Sequence, residues 1–94
     1  MKEITFDTGM AFGVVKIRWR ERTWGESRQV RKEFTDVEEQ AWRLMILSLI
    51  VDEEIRPIEW WDEIPEYKID EVVKIFQELN PNKVENEAKK KYVA

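Results

Sequence analysis

The 94-residue chain contains no cysteine and no histidine. Without cysteine there is no disulfide, no thiolate nucleophile and no thiolate metal site. Without histidine, the commonest general base and the commonest transition-metal ligand are both missing. Glycine is scarce, at three residues. Neither "FGVV" nor "TWGES" is a phosphate-cradling loop, because each has one glycine and no Lys-Ser/Thr after it. No apolar run is long: "LMILSLIV" (Leu44 to Val51) falls far short of the roughly 20 residues a membrane span needs. Met1 is followed by a polar, strand-like segment rather than a basic start and an apolar stretch, so no signal peptide is expected. The expected location is the cytoplasm, and no membrane partner is expected.

What is present is a strongly charged but foldable composition. Hydrophobic residues at 43% beside charged residues at 38% fit a folded protein of one small domain. Plentiful Glu, Lys and Arg with few Asn or Gln lean toward a heat-adapted source. Net charge is −4, yet Lys16 to Lys32 balances at +5 and Glu33 to Glu66 at −9. The sequence is thus a written dipole, and one half is suited to attract the other half of a neighbouring copy.

Element signals predict an α+β fold: a small antiparallel hairpin or three-stranded sheet, a long helix, a short helical turn and a second helix. "EITFD" alternates as a short strand. "VVKIRWRER" has period two, with Val15, Ile17 and Trp19 on one face and Lys16, Arg18 and Arg20 on the other. "TWGES" reads as a turn around Gly25, after which "RQVRKEF" returns as the partner strand with Val30 and Phe34 on one face. "TDVE" offers Thr35 as N-cap with Glu38 three residues on, the capping-box pattern. The helix it opens has Val37, Ala41, Leu44, Ser48 and Val51 on one face. Trp42, Ile46 and Ile50 lie away from that face, so its second half is apolar nearly all round. "PIEWWDEI" forms a short helical turn beginning at Pro57. "IDEVVKIFQELN" carries a stripe of Ile69, Val72, Val73, Phe76 and Leu79, and Pro81 stops it. The domain is placed at residues 1–80, with 81–94 a charged tail or helical extension.

Catalytic readings are weak. Asp52, Glu53 and Glu54, and Asp62, Glu63 and Glu66, match no calcium-loop spacing and accompany no nucleophile with its base. No enzyme activity, metal or cofactor is expected, and acids at helix ends are ordinarily just solvated. Interaction readings are stronger. Tryptophan, tyrosine and arginine anchor interfaces more than other residues, and five tryptophans crowd this small chain. The bland alternative is that Trp19, Trp42 and one of Trp60 and Trp61 simply fill the core. Two adjacent tryptophans on a short turn do not point the same way, so one packs inward and one lies partly exposed. The partner-binding candidates are Trp24, Trp42, Ile46, Ile50, Trp60, Trp61 and Tyr67. A second reading gives the basic face of the hairpin to nucleic acid, with Lys16, Arg18, Arg20, Arg22 and Arg31 tracking phosphates and Trp24 stacking on a base.

From Val14 to Asn80 the layout resembles the small tail assembly chaperones of tailed bacteriophages and related proviruses. The parts that carry it are the basic segment "VKIRWRER", the apolar helix "FTDVEEQAWRLMILSLIVDEE" and the stretch "IRPIEWWDEIPEYKIDEVVKIFQELN", with its acidic bend, its "IP" and a last helix ending in Leu-Asn. The resemblance implies a non-enzymatic viral protein of the host cytoplasm. Such a protein forms homo-oligomers and holds the long helical tape-measure protein soluble before the tail tube polymerises around it.

Overall fold

Alternation in the first strands dictates the sheet. In the computed structural model, which describes residues 2–81, β1 (Glu3–Asp7) pairs antiparallel with β2 (Val14–Trp19), setting Ile4 opposite Ile17 and Phe6 opposite Val15. A third strand, β3 (Leu49–Val51), pairs antiparallel on the other side of β2, with Val51 opposite Ile17 and Leu49 opposite Trp19. Strand order is therefore β1-β2-β3. Because side chains alternate, Ile4, Phe6, Val15, Ile17, Trp19, Leu49 and Val51 share one face, which the helices cover. The other face carries Glu3, Thr5, Lys16 and Arg18. The chain is α+β, as its patterning predicts.

Two expectations fail. The segment expected to return as a strand is a helix, α1 (Trp24–Glu33). Val30 and Phe34 are four apart, a spacing that fits two strand repeats and one helical turn equally well. Thr23 decides between them. Its hydroxyl accepts from the Glu26 backbone N–H at 3.2 Å, and the Glu26 carboxylate accepts from the Thr23 N–H at 2.7 Å, a complete capping box. "TWGES" is thus a helix start rather than a hairpin turn.

The long helix is also shorter than expected. α2 (Val37–Leu47) starts at Asp36, whose carboxylate accepts from the Glu38 N–H at 3.1 Å, and not at Thr35. It ends at Ser48, after which Leu49–Val51 leave as β3. Ser48 is buried, its carbonyl takes the Arg20 N–H, and Asp52 N–H reaches the Lys16 carbonyl, so the sheet competes successfully for this stretch. β-branched Ile50 and Val51 suit that outcome. The helix face is inverted as well. Trp42, Met45 and Ile46 turn to the core, while Val37 is 76% exposed. The apolar encirclement dissolves once the last three residues of the run are recognised as a strand.

Past β3 the chain makes a tight turn in which Asp52 (φ 48°) and Glu53 (φ 69°) both take left-handed backbone. Val51 and Glu54 exchange backbone hydrogen bonds of 2.8 and 3.0 Å around it. Such conformations are unusual for non-glycine residues and persist where neighbours fix them. Here β2 does so: the Lys16 N–H donates to Asp52 Oδ1 at 2.9 Å and Arg18 pairs with Glu53 at 3.0 Å. α3 (Ile58–Asp62) follows, then a 3-10 turn (Glu66–Lys68) running into α4 (Ile69–Leu79). α4 buries Val72, Ile75 and Leu79, and its Phe76 ring meets Trp19 with centroids 5.5 Å apart. Among the described residues no helix is long and apolar enough to cross a membrane. Of the tail or helical extension expected over 81–94, residues 82–94 lie outside the described residues.

Trp61 sits at the centre of the core, fully buried, with Trp42 and Trp60 meeting it edge to face at 6.2 and 5.0 Å. Among the described residues its indole N–H has no acceptor, which offsets part of what the ring's burial contributes. Trp61→Ala therefore lowers unfolding free energy by about 3–5 kcal/mol. Trp61→Phe costs less, since it removes the orphaned donor along with part of the ring. Trp60→Ala, at a half-buried position, stays below Trp61→Ala. Urea midpoints of the three variants check this order.

Candidate functional site

The core-forming strands and helices leave a groove between α1, α2 and the connection from β3 to α3. Its volume is about 360 Å³, and its apolar lining comes from Val30 and Phe34, Ile46 and Leu47, and Ile55 and Ile58. Glu33, Arg43 and Arg56 are its charged residues. Arg43 lies over the Phe34 ring at 4.4 Å while pairing with Glu39 at 2.8 Å, and Arg56 pairs with Glu54 at 3.1 Å. The cations thus border apolar surface without being stranded. Ile55 is 49% exposed although it belongs to this apolar wall.

A second apolar feature adjoins the groove. The β1–β2 loop is built around buried Thr8, whose hydroxyl donates to the Gly13 carbonyl at 2.7 Å and accepts from the Phe12 N–H at 2.9 Å. Gly9 and Gly13 take φ of 75° and 70°, which a side chain would strain. The loop thrusts Met10 fully into solvent with Phe12 and Val14 exposed beside it. Phe12 stacks on Trp60 at 4.6 Å and 11° between planes, and the Arg56 guanidinium lies 5.6 Å from the same Trp60 ring. Trp60 therefore joins the hairpin tip to the groove in one surface band.

The expected partner-binding residues divide accordingly. Trp60 is half-buried and lies in this band. Ile46 forms part of the groove wall but is itself buried in the core, and Trp61 is wholly buried, so neither is an exposed anchor. Trp42 is packed against the core through Trp61. Ile50 is half-buried on the outer side of β3, opposite Arg18 on β2. Trp24 and Tyr67, 71% and 78% exposed, lie on α1 and on the 3-10 turn. Phe12, Met10, Ile55 and Ile58 were not singled out by sequence reasoning. Only an apolar triplet between two glycines hinted at the tip, and only a pair of isoleucines flanking "RP" hinted at the groove.

The five basic candidates for nucleic acid do not form a common face. Arg18 pairs with Glu53. Arg20 turns back toward the helices: its guanidinium donates to the Leu47 carbonyl at 2.8 Å and to both Glu26 carboxylate oxygens at 2.9 and 3.0 Å. Arg22 donates to the Leu44 carbonyl at 2.9 Å and to Ser48 Oγ at 3.1 Å. These two arginines thus satisfy carbonyls at the end of α2, whose own last turn has no basic residue. Lys16 is exposed on the open sheet face, and Arg31 belongs to α1. Burial, and next the charge of nearby Arg31, lower the pKa of Arg22.

Chemically, the groove offers an apolar recess bordered by paired arginines. Among the described residues, no cluster of three or more carboxylates is arranged to hold a metal ion. Compared with known proteins, the chain matches no family model, no curated protein and no solved structure.

The Arg20 hydrogen bond, followed by the Thr23 N–H, holds the Glu26 carboxyl below its ordinary value of 4.5. A depressed carboxylate pKa contributes stability that is fully present above the ordinary value and is lost as pH falls through the lowered one. Glu26→Gln is expected to be less stable than the parent at neutral pH. The gap should narrow as pH drops below about 4.5, as followed by thermal melts across the acid range.

Proposed function

We propose that this chain is a non-enzymatic interaction protein that assembles with copies of itself and clasps an apolar helix of a partner protein. The role is that of the tail assembly chaperones it resembles. The observation that carries the reading is the open groove between α1, α2 and the β3–α3 connection, which keeps Ile55 exposed beside half-buried Ile58 and Phe34. A groove of about 360 Å³ takes a few large side chains from one face of a helix, the helix-in-groove mode of recognition. A long helical tape-measure protein, awaiting its tube, presents such side chains repeatedly. The adjoining tip with Met10 and Phe12 extends the apolar surface, and exposed apolar patches of this kind mark interaction sites.

The nucleic-acid reading finds less support, because Arg18, Arg20 and Arg22 are committed to a carboxylate or to helix-end carbonyls.

Co-expression with the candidate tape-measure protein of the same genome tests the proposal. The parent chain is expected to keep that protein soluble and to co-purify with it. Ile55→Asp is expected to weaken the complex at least about tenfold. Because Ile55 is already half exposed, the same change should move folding stability by no more than about 0.5 kcal/mol. Undiminished capture by Ile55→Asp would contradict the use of this groove.

A further inference from the structure

α1 carries a second surface that the groove does not use. Trp24, Arg28 and Lys32 recur at i, i+4 and i+8 on the side away from buried Ser27 and Val30, with Arg31 beside them. These residues, with Gly25 and Gln29, line a shallow concavity of about 460 Å³. Among the described residues, no carboxylate pairs with Arg28, Arg31 or Lys32, in contrast to Arg18, Arg20, Arg43 and Arg56. Three exposed cations and a 71% exposed tryptophan on one helix therefore call for an anionic occupant.

The same chain displays the complement. Glu59 and Asp62 on α3 and Glu63 at its C-cap are exposed, with Glu59 and Glu63 on the side away from buried Trp61, and exposed Glu66 and Tyr67 follow on the 3-10 turn. Among the described residues, none of these four carboxylates has an ion pair. We infer that the outer face of α1 docks on the outer face of α3 in a second copy of the chain. An antiparallel approach sets Arg28 beside Glu63 and Lys32 beside Glu59, since each pair is spaced by four residues, one helical turn, along α1 and along α3 with its C-cap. A second copy is favoured over nucleic acid because it supplies the unpaired carboxylates that α1 lacks, whereas a chain whose net charge is −4 has no overall attraction for a polyanion.

This inference rests on the proposed self-assembly and names its surfaces. A charge exchange tests it, with sedimentation equilibrium at low salt as the readout. Arg28→Glu/Lys32→Glu alone and Glu59→Lys/Glu63→Lys alone should each associate at least about tenfold more weakly than the parent. An equimolar mixture should recover association to within about threefold, since each variant then offers the face the other needs. Circular dichroism melts of the two variants confirm that they are folded before mixing. Added salt should weaken the parent assembly, because exposed pairs are screened over about 10 Å at 0.1 M. If the parent assembles and both variants assemble equally well, the inference fails while self-assembly stands. If the parent is monomeric at every concentration, both fail. Failure of the mixture to recover, or retention on single-stranded DNA that is lost in Arg28→Glu/Lys32→Glu, would overturn the α1–α3 contact.

Discussion

One guanidinium organises this fold. Arg20 follows the central strand, bonds the last carbonyl of α2 and grips the carboxylate that also closes the capping box of α1. Charge-assisted hydrogen bonds of this kind contribute about 1.5–3 kcal/mol each when sheltered, and this pair is less than one-third exposed on both sides. Arg22 repeats the device one turn earlier on α2, at Leu44. The end of the central strand, a helix start and a helix end are thereby fixed to one another by Arg20 and Arg22, two residues apart on the extension of β2. The groove follows from that constraint: α1 and α2 are its walls, and their relation is set before any partner arrives.

The two tasks of the arginines explain why charge along the sequence was a poor guide to charge on the surface. Arg20 and Arg22 belong to the positive segment, yet both are spent on helix ends within the fold. Among the described residues, what remains without an ion pair on α1 is Arg28, Arg31 and Lys32, of which sequence reasoning singled out only Arg31. The acidic half divides in the same way. Asp52 and Glu53 shape a left-handed turn and hold β2, and Glu54 pairs with Arg56, whereas Glu59, Asp62, Glu63 and Glu66 stay unpaired among the described residues. The dipole visible in the sequence survives folding, but on fewer residues and on other elements.

The α+β class, the first two strands, the closing helix and the split of the tryptophan pair were legible because period and breaker residues agree there. Which tryptophan faces inward was not, since a five-residue helix offers no stripe to read. α1 was hidden because Val30 and Phe34 satisfy both periods, although Thr23 and Glu26 already spelled a capping box. The second such pattern, Thr35 and Glu38, was displaced by Asp36, which reaches the Glu38 N–H first. β3 was concealed inside an apolar run, where three residues show no alternation and only long-range pairing with β2 reveals a strand. The groove depends on exactly those two misread elements, so it lay beyond sequence reasoning.

The α1 wall of the groove is held to the sheet by the Arg20–Glu26 contact rather than resting loosely on the surface. Amide hydrogen exchange of the intact chain tests this most directly. Amides of Val30 and Arg31 in α1 are predicted to exchange with an opening free energy close to that of Ile17 in β2, both reporting global unfolding. Exchange of α1 through a separate low-energy opening, while Ile17 stays protected, would contradict it.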